Sequence, residues 1–178
     1  EKISKMENRE KKISVAMATY NGEKYIKKQI DTILENLQED DELVISDDGS
    51  TDKTLDIIKS INDKRIKLIE GPKKGLKKNF ANAINNTTGE YIFLSDQDDI
   101  WFQNKVEKVY ECFINNDYIL IQHDAIVVDS NNEVLFESFA EHRKVKNGII
   151  KNLIKNSYHG CCMAFKKELV KEILPIPD

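Results

Sequence analysis

Four times in the first hundred residues a short apolar run gives way to a stretch with helical periodicity, and this alternation restricts the fold more than any other property of the chain. The runs lie at residues 13–19, 43–45, 66–69 and 91–94. Between the first two, Tyr25, Ile26, Ile30, Ile33, Leu34 and Leu37 share one face of a predicted helix over 23–37, with Lys24, Lys27, Lys28 and Asp31 opposite. Leu55, Ile57, Ile58 and Ile61 mark a second helix; Leu76, Phe80, Ala83 and Ile84 mark a third that ends near Asn86. Strands joined through helices run parallel with right-handed crossovers, so the expectation is an α/β chain: a mostly parallel sheet covered by helices on both faces. Ligands of such sheets bind beyond the carboxyl ends of the strands.

Polar clusters sit at three of those ends: Thr19-Tyr20-Asn21, Asp47-Asp48 with Gly49 as a turn, and Asp96-Gln97-Asp98-Asp99. Far apart in sequence, they converge on one edge of the predicted sheet. The third cluster is the sharpest, because the apolar strand Tyr91 to Leu94 runs straight into three carboxylates within four positions. Anions that close repel one another unless a cation is held among them, and Mg²⁺ or Mn²⁺ completes its shell with water and phosphate oxygens. The competing reading is a solvated acidic turn that caps the next helix. An extended backbone would point Asp96 and Asp98 to one side and Asp99 to the other. The spacing Asp96, Asp98, Glu107 imitates a calcium loop, but Trp101 stands where that loop needs glycine.

Beyond Trp101, read as a packing anchor with stacking on a sugar as the alternative, the pattern changes. A helix is predicted over 103–115, a hairpin over 118–136 turning at 129–132, a charged loop over 137–147, a short helix near 149–155, a strand over 160–165 and a helix over 166–174. A charged extension, 1–12, precedes one domain over 13–178. Net charge of -4 argues against nucleic acid as the main partner. Cys112, Cys161 and Cys162 form no disulfide framework and no zinc spacing, so they are expected in the core of a protein in a reducing, cytoplasmic setting. His123, His142 and His159 are too scattered to form a metal cluster by spacing. With no membrane span or signal segment in the chain, the sequons at Asn85 and Asn86 are expected to be idle.

The stretches Val15-Ala-Met-Ala-Thr-Tyr-Asn-Gly22, Val44-Ile-Ser-Asp-Asp-Gly-Ser-Thr-Asp52, Gly75 to Asn79, Gly89-Glu-Tyr-Ile-Phe-Leu-Ser-Asp-Gln-Asp-Asp99 and Gly160-Cys-Cys-Met-Ala-Phe165, in this order and spacing, resemble the N-terminal portion of family 2 inverting glycosyltransferases of the GT-A fold. The form Asp-Gln-Asp-Asp-Ile-Trp, with His159-Gly-Cys-Cys, is similar to a rhamnosyltransferase-like branch that builds bacterial surface polysaccharides. The resemblance implies a nucleotide-sugar-binding half over 13–101 and a partial, truncated acceptor-side half over 102–178. It places Thr19, Tyr20, Asn21, Asp47, Asp48, Lys78 and Asn79 near a UDP- or dTDP-sugar, Asp98 on Mn²⁺ or Mg²⁺, and Asp96 on metal or ribose. The acceptor would be a saccharide or lipid-linked saccharide, and the enzyme cytoplasmic or peripheral at the inner face of the membrane. Asp124 matches an acidic position on the acceptor side, or else orients His123 or caps the hairpin. The general base is expected beyond Asp178.

Two other readings compete with this one. A nucleotide-sugar-binding module without catalysis differs only in lacking base and acceptor site. A Mg²⁺-binding receiver domain also gathers acids at strand ends, but has no use for a hairpin-rich final third.

Overall fold

The computed structural model describes residues 9–143 and 160–176. Strands β1 (Ile13–Thr19), β2 (Glu42–Asp47), β3 (Ile66–Glu70) and β4 (Tyr91–Ser95) alternate with helices α1 (Ile26–Leu34), α2 (Thr54–Ser60) and α3 (Leu76–Asn85). Helix α4 (Lys105–Asn115), strands β5 (Leu120–Gln122), β6 (Val127–Val128) and β7 (Val134–Phe136) and helix α5 (Phe139–His142) follow; β8 (Met163–Lys166) and α6 (Val170–Ile173) close the described chain.

One six-stranded sheet has the order β3-β2-β1-β4-β8-β5. The first four strands are parallel, while β8 runs antiparallel to both β4 and β5. The mostly parallel sheet read from the sequence is therefore present. A receiver of flavodoxin-like order, 2-1-3-4-5, is not what these strands form.

All seven residues of β1 are buried, as a central strand covered on both faces requires. Its side chains alternate between two cores. Ile13, Val15 and Met17 join Phe93 and meet Ile26, Ile30 and Ile33 of α1, Ile58 of α2, and Val106, Val109 and Phe113 of α4. Ala16 and Ile92 face Ala83 and Ile84 of α3, with Phe165 of β8 and Val170 and Ile173 of α6 around them. Phe93 is fully buried, and cutting such a ring to alanine costs roughly 3–5 kcal/mol through lost transfer energy and the cavity left behind. Trp101 is 4% exposed and packs on Phe93 with ring centroids 6.0 Å apart, as the anchor reading expected.

The final third departs from expectation. The hairpin expected over 118–136, turning at 129–132, forms in its second part, where β6 and β7 pair as a separate ribbon. Its first run, at 118–121, instead joins the main sheet as β5, with Leu120 opposite Phe165. The physical reason is that β8 leaves one backbone edge unpaired, and β5 fills it through main-chain pairing, although Leu120 itself stays exposed. Within the expected loop, Phe139–His142 forms a turn of helix capped by Ser138, whose Oγ accepts from Glu141 N at 3.0 Å. Cys112 is exposed, Cys161 half-buried and Cys162 buried, so only the last meets the core expectation. The helix expected near 149–155, His159 and Asp178 lie outside the described residues.

Candidate functional site

The loops that follow β1, β2 and β4 meet at the carboxyl edge of the parallel strands, and side-chain to backbone bonds fasten them together. Thr19 is buried and donates Oγ1–H to Asp47 Oδ2 at 2.9 Å. Asp47, 3% exposed, also accepts from Gly49 N at 3.1 Å, Ser50 N at 2.8 Å and Ser50 Oγ at 2.5 Å. A carboxylate offers about four lone-pair directions, and here all four are used within the protein. Asp47 thus holds the Gly49 turn, whose φ of 93° suits a residue without Cβ.

Asp48 reaches forward. Its Oδ1 accepts from Lys73 N at 2.6 Å and its Oδ2 from Gly75 N at 2.8 Å, tying the β2 turn to the loop before α3. On α3, Asn79 is 1% exposed and donates to the Ser46 and Thr19 carbonyl oxygens at 2.8 and 3.2 Å, so it fixes the ends of β1 and β2 from below. Lys78 points toward the C-terminal segment, its Nζ donating to Ile176 O at 3.3 Å.

Tyr20 presents its ring to solvent, 56% exposed, while its backbone is clamped. Gln97 accepts from Tyr20 N through Oε1 at 3.0 Å and donates Nε2–H to Tyr20 O at 3.1 Å. Asn21, at φ 48°, donates from N to Ser50 Oγ at 2.9 Å and accepts from Thr51 N through Oδ1 at 2.8 Å. A Cβ on Gly22 would lie 2.4 Å from Gln97 Oε1, so glycine leaves the room the clamp occupies. Sequence reasoning placed Gln97 in the acidic cluster but gave it no role, because its partner is a backbone 77 residues away.

At the acidic turn, buried Gln29 of α1 donates Nε2–H to Ser95 Oγ at 2.6 Å and Asp96 O at 3.1 Å, pinning the end of β4. The chain then turns at 97–98. Strict alternation ends there, and the turn brings Asp96 and Asp99 together. A carboxylate oxygen of each lies within 4.8 Å of the other and of Cys161 Sγ, in a group able to hold a metal ion. Asp98 is exposed at the tip and accepts no hydrogen bond from the described residues. Asp99 was expected in the acidic cluster but not as a metal ligand, and Cys161 was not expected in the site; an i, i+3 relation across a turn was the signal for Asp99.

The electrostatics follow burial. Burial raises the Asp99 carboxyl above its ordinary range, although Cys161 and Lys105 act to lower it. Burial pushes Lys105 down to about 8, with its ammonium 3.8 Å from the Trp101 ring centroid. A hydrogen bond between the adjacent free thiols, Sγ to Sγ 3.9 Å, lowers the Cys162 pKa and raises that of Cys161.

Asp124 lies apart, fastening α5: its carboxylate accepts from Ala125 N at 2.8 Å, Ala140 N at 2.9 Å and Ser138 Oγ. Burial would raise its pKa, but these bonds outweigh it and leave the carboxyl below its usual value. His123 Nδ1 lies 2.8 Å from the Asp124 carbonyl oxygen, so the backbone of Asp124, not its carboxylate, meets that ring.

A mostly parallel α/β sheet with an acidic turn after its fourth strand and polar loops at the neighbouring strand ends is the frame of a GT-A-like glycosyltransferase. Residues 14–174 match Glycosyl transferase family 2, and the chain belongs to that family. Among its relatives, dTDP-rhamnosyl transferase RfbG of Shigella flexneri is 39% identical over 108 residues, 56% of this chain and 37% of its own length. UDP-Glc:alpha-D-GlcNAc-diphosphoundecaprenol beta-1,3-glucosyltransferase WfgD of Escherichia coli is 29% identical over 141 residues, 79% of this chain and 55% of its own length. The fold is shared with Staphylococcus aureus TarS 1-349 in complex with UDP (TM-score 0.70, 22% identity, 90% of this chain and 48% of that one). It is shared equally with the mannosyltransferase PcManGT of Pyrobaculum calidifontis in complex with GDP-Man and Mn²⁺ (TM-score 0.68, 20% identity, 94% and 48%). The chain spans about half the length of several curated relatives it matches. No helix among the described residues is long and apolar enough to cross a membrane.

Proposed function

We propose that this chain binds a nucleoside-diphosphate sugar, UDP- or dTDP-linked, and serves transfer of that sugar with inversion to a saccharide or lipid-linked saccharide acceptor in bacterial surface polysaccharide synthesis. The observation that carries the reading is the meeting of the β1, β2 and β4 loops on one sheet edge, with an acidic turn beside them. Membership of the family, the UDP complex of TarS and the dTDP-rhamnosyl relative support the donor class.

In this reading Tyr20, Asn21, Asp48 and Lys78 line the nucleotide, while Thr19 and Asp47 hold the loop that presents them. Asp98 and Asp96 hold Mn²⁺ or Mg²⁺; oxygen donors on a turn suit a hard divalent cation, and PcManGT was solved with Mn²⁺. Such a cation supplies Lewis-acid stabilisation of the departing diphosphate. The protein's part is orientation: Gln97 ties the Tyr20 backbone to the acidic turn, so nucleotide and diphosphate are positioned by one rigid unit. Asp124 is proposed on the acceptor side, and no described residue is assigned as the general base. We place the protein in the cytoplasm or at the inner membrane face.

The test is thermal unfolding with UDP, dTDP and GDP, each with and without Mn²⁺. A ligand that binds only the folded state adds about 2.7 kcal/mol at a hundred times its dissociation constant, so the pyrimidine nucleotides with Mn²⁺ raise the midpoint. Asp98→Ala removes the Mn²⁺-dependent part of the rise. A midpoint unmoved across the whole panel overturns the reading.

A further inference from the structure

Beside the acidic turn lies a set of donors of which the transferase reading uses only Asp96. The turn Gly160–Cys162 carries Cys161 Sγ to within 4.8 Å of a carboxylate oxygen of both Asp96 and Asp99, and all three residues are half-buried. Cys162 Sγ stands 3.9 Å from Cys161 Sγ. Next to Cys162 is His123, whose backbone N–H donates to Cys162 O at 3.0 Å. Its ring is arranged as a metal-binding imidazole is: Nδ1 meets the Asp124 carbonyl oxygen at 2.8 Å and so carries the proton. Nε2 is then a lone pair, buried and facing the Cys162 thiol.

Thiols, an imidazole and carboxylates together are the donors that favour a borderline-soft cation over Mg²⁺ or Ca²⁺. Two carboxylates and a thiolate this close do not all carry charge without a cation among them. We propose that this pocket is a binding site for a thiophilic divalent cation of the zinc class, held by Cys161 Sγ and the Asp96 and Asp99 carboxylates, with Cys162 and His123 as flanking donors. The cation replaces the thiol proton, which leaves to solvent. Lys105, whose Nζ lies 3.4 Å from Cys161 O, faces the same anions and opposes the cation. Because Asp96 also belongs to the proposed donor site, filling the thiolate pocket weakens nucleotide binding.

Co²⁺ titration of the full chain, reduced and free of metal, tests the site by absorption. The expected result is a thiolate-to-cobalt charge-transfer band that saturates at one equivalent and is displaced by Zn²⁺. The band is lost in Cys161→Ser and kept in Cys112→Ser and in Asp98→Ala. Lys105→Met tightens Co²⁺ binding, a change opposite to that of a merely damaged fold. Absence of the band, its survival in Cys161→Ser, or its loss in Asp98→Ala overturns the proposal. The readout needs no nucleotide, so it stands or falls separately from the transferase reading.

Discussion

Replacing Asp47 with alanine tests whether that carboxylate is structural. Its four acceptor directions are filled by Thr19 Oγ1, Gly49 N, Ser50 N and Ser50 Oγ, and it is 3% exposed. Alanine leaves two backbone N–H groups of a part-buried turn without an acceptor, at roughly 1–1.5 kcal/mol each. The two hydroxyls can rotate toward other partners and add less, while removal of a buried charge returns part of the loss. The net expectation is a destabilisation of about 2–4 kcal/mol, with Asp47→Asn losing roughly half as much because one acceptor oxygen survives. Urea unfolding reads it directly through Trp101, the sole tryptophan, which is 4% exposed. The midpoint should fall with an unchanged m-value. A loss below about 0.5 kcal/mol, where surface substitutions usually lie, would refute the reasoning, since water would then be satisfying those N–H groups.

Gln97→Ala releases the Tyr20 backbone and is expected to weaken UDP binding about tenfold by calorimetry, the equivalent of roughly one kcal/mol or slightly more, with little change in unfolding midpoint. Gly22→Ala displaces the same amide, so the two substitutions together cost less than their sum in a double-mutant cycle. Lys105, at about 8, sits below its unfolded value of about 10.4, so the unfolded chain binds more protons between them and stability rises with pH over that window. Lys105→Met removes this rise, measured as urea midpoints on either side of the window; an unchanged slope refutes the assignment. Asn36, 3% exposed, donates to Thr32 O and Phe102 O and accepts from Val106 N, so Asn36→Ala is expected to cost about 1–3 kcal/mol by the same unfolding assay.

The parallel half was legible because its determinants are local. The periodicity of Ile26, Ile30 and Ile33 and the apolar run of β1 each specify an element without reference to distant chain. The placement of β5 was not legible, since Leu120 finds its partner in Phe165, and adjacent apolar runs mimic a hairpin equally well. The acidic turn was found, but its internal geometry was not. Alternation of side chains holds only while the strand lasts, and β4 ends at Ser95. Cys161 beside Asp99 depends on an antiparallel strand that returns from the far end of the sequence to lie against β4.

The carboxylates of this edge divide by what their oxygens already do. Asp47 is saturated, Asp48 holds the 73–75 loop, and Asp52 accepts from Glu23 N, Thr54 N and Thr54 Oγ1. These bonds order the β1 and β2 loops before any ligand arrives, so binding there does not have to supply that ordering. Asp98 is different, exposed at the tip of its turn with acceptor capacity unspent toward the described residues. A ligand gripping both regions would find a preformed cradle at one end and, at the other, an anionic tip that repels phosphate until a cation neutralises it. Metal dependence should therefore reside in the diphosphate end of the ligand, with the nucleoside end contributing the same free energy whether or not metal is present.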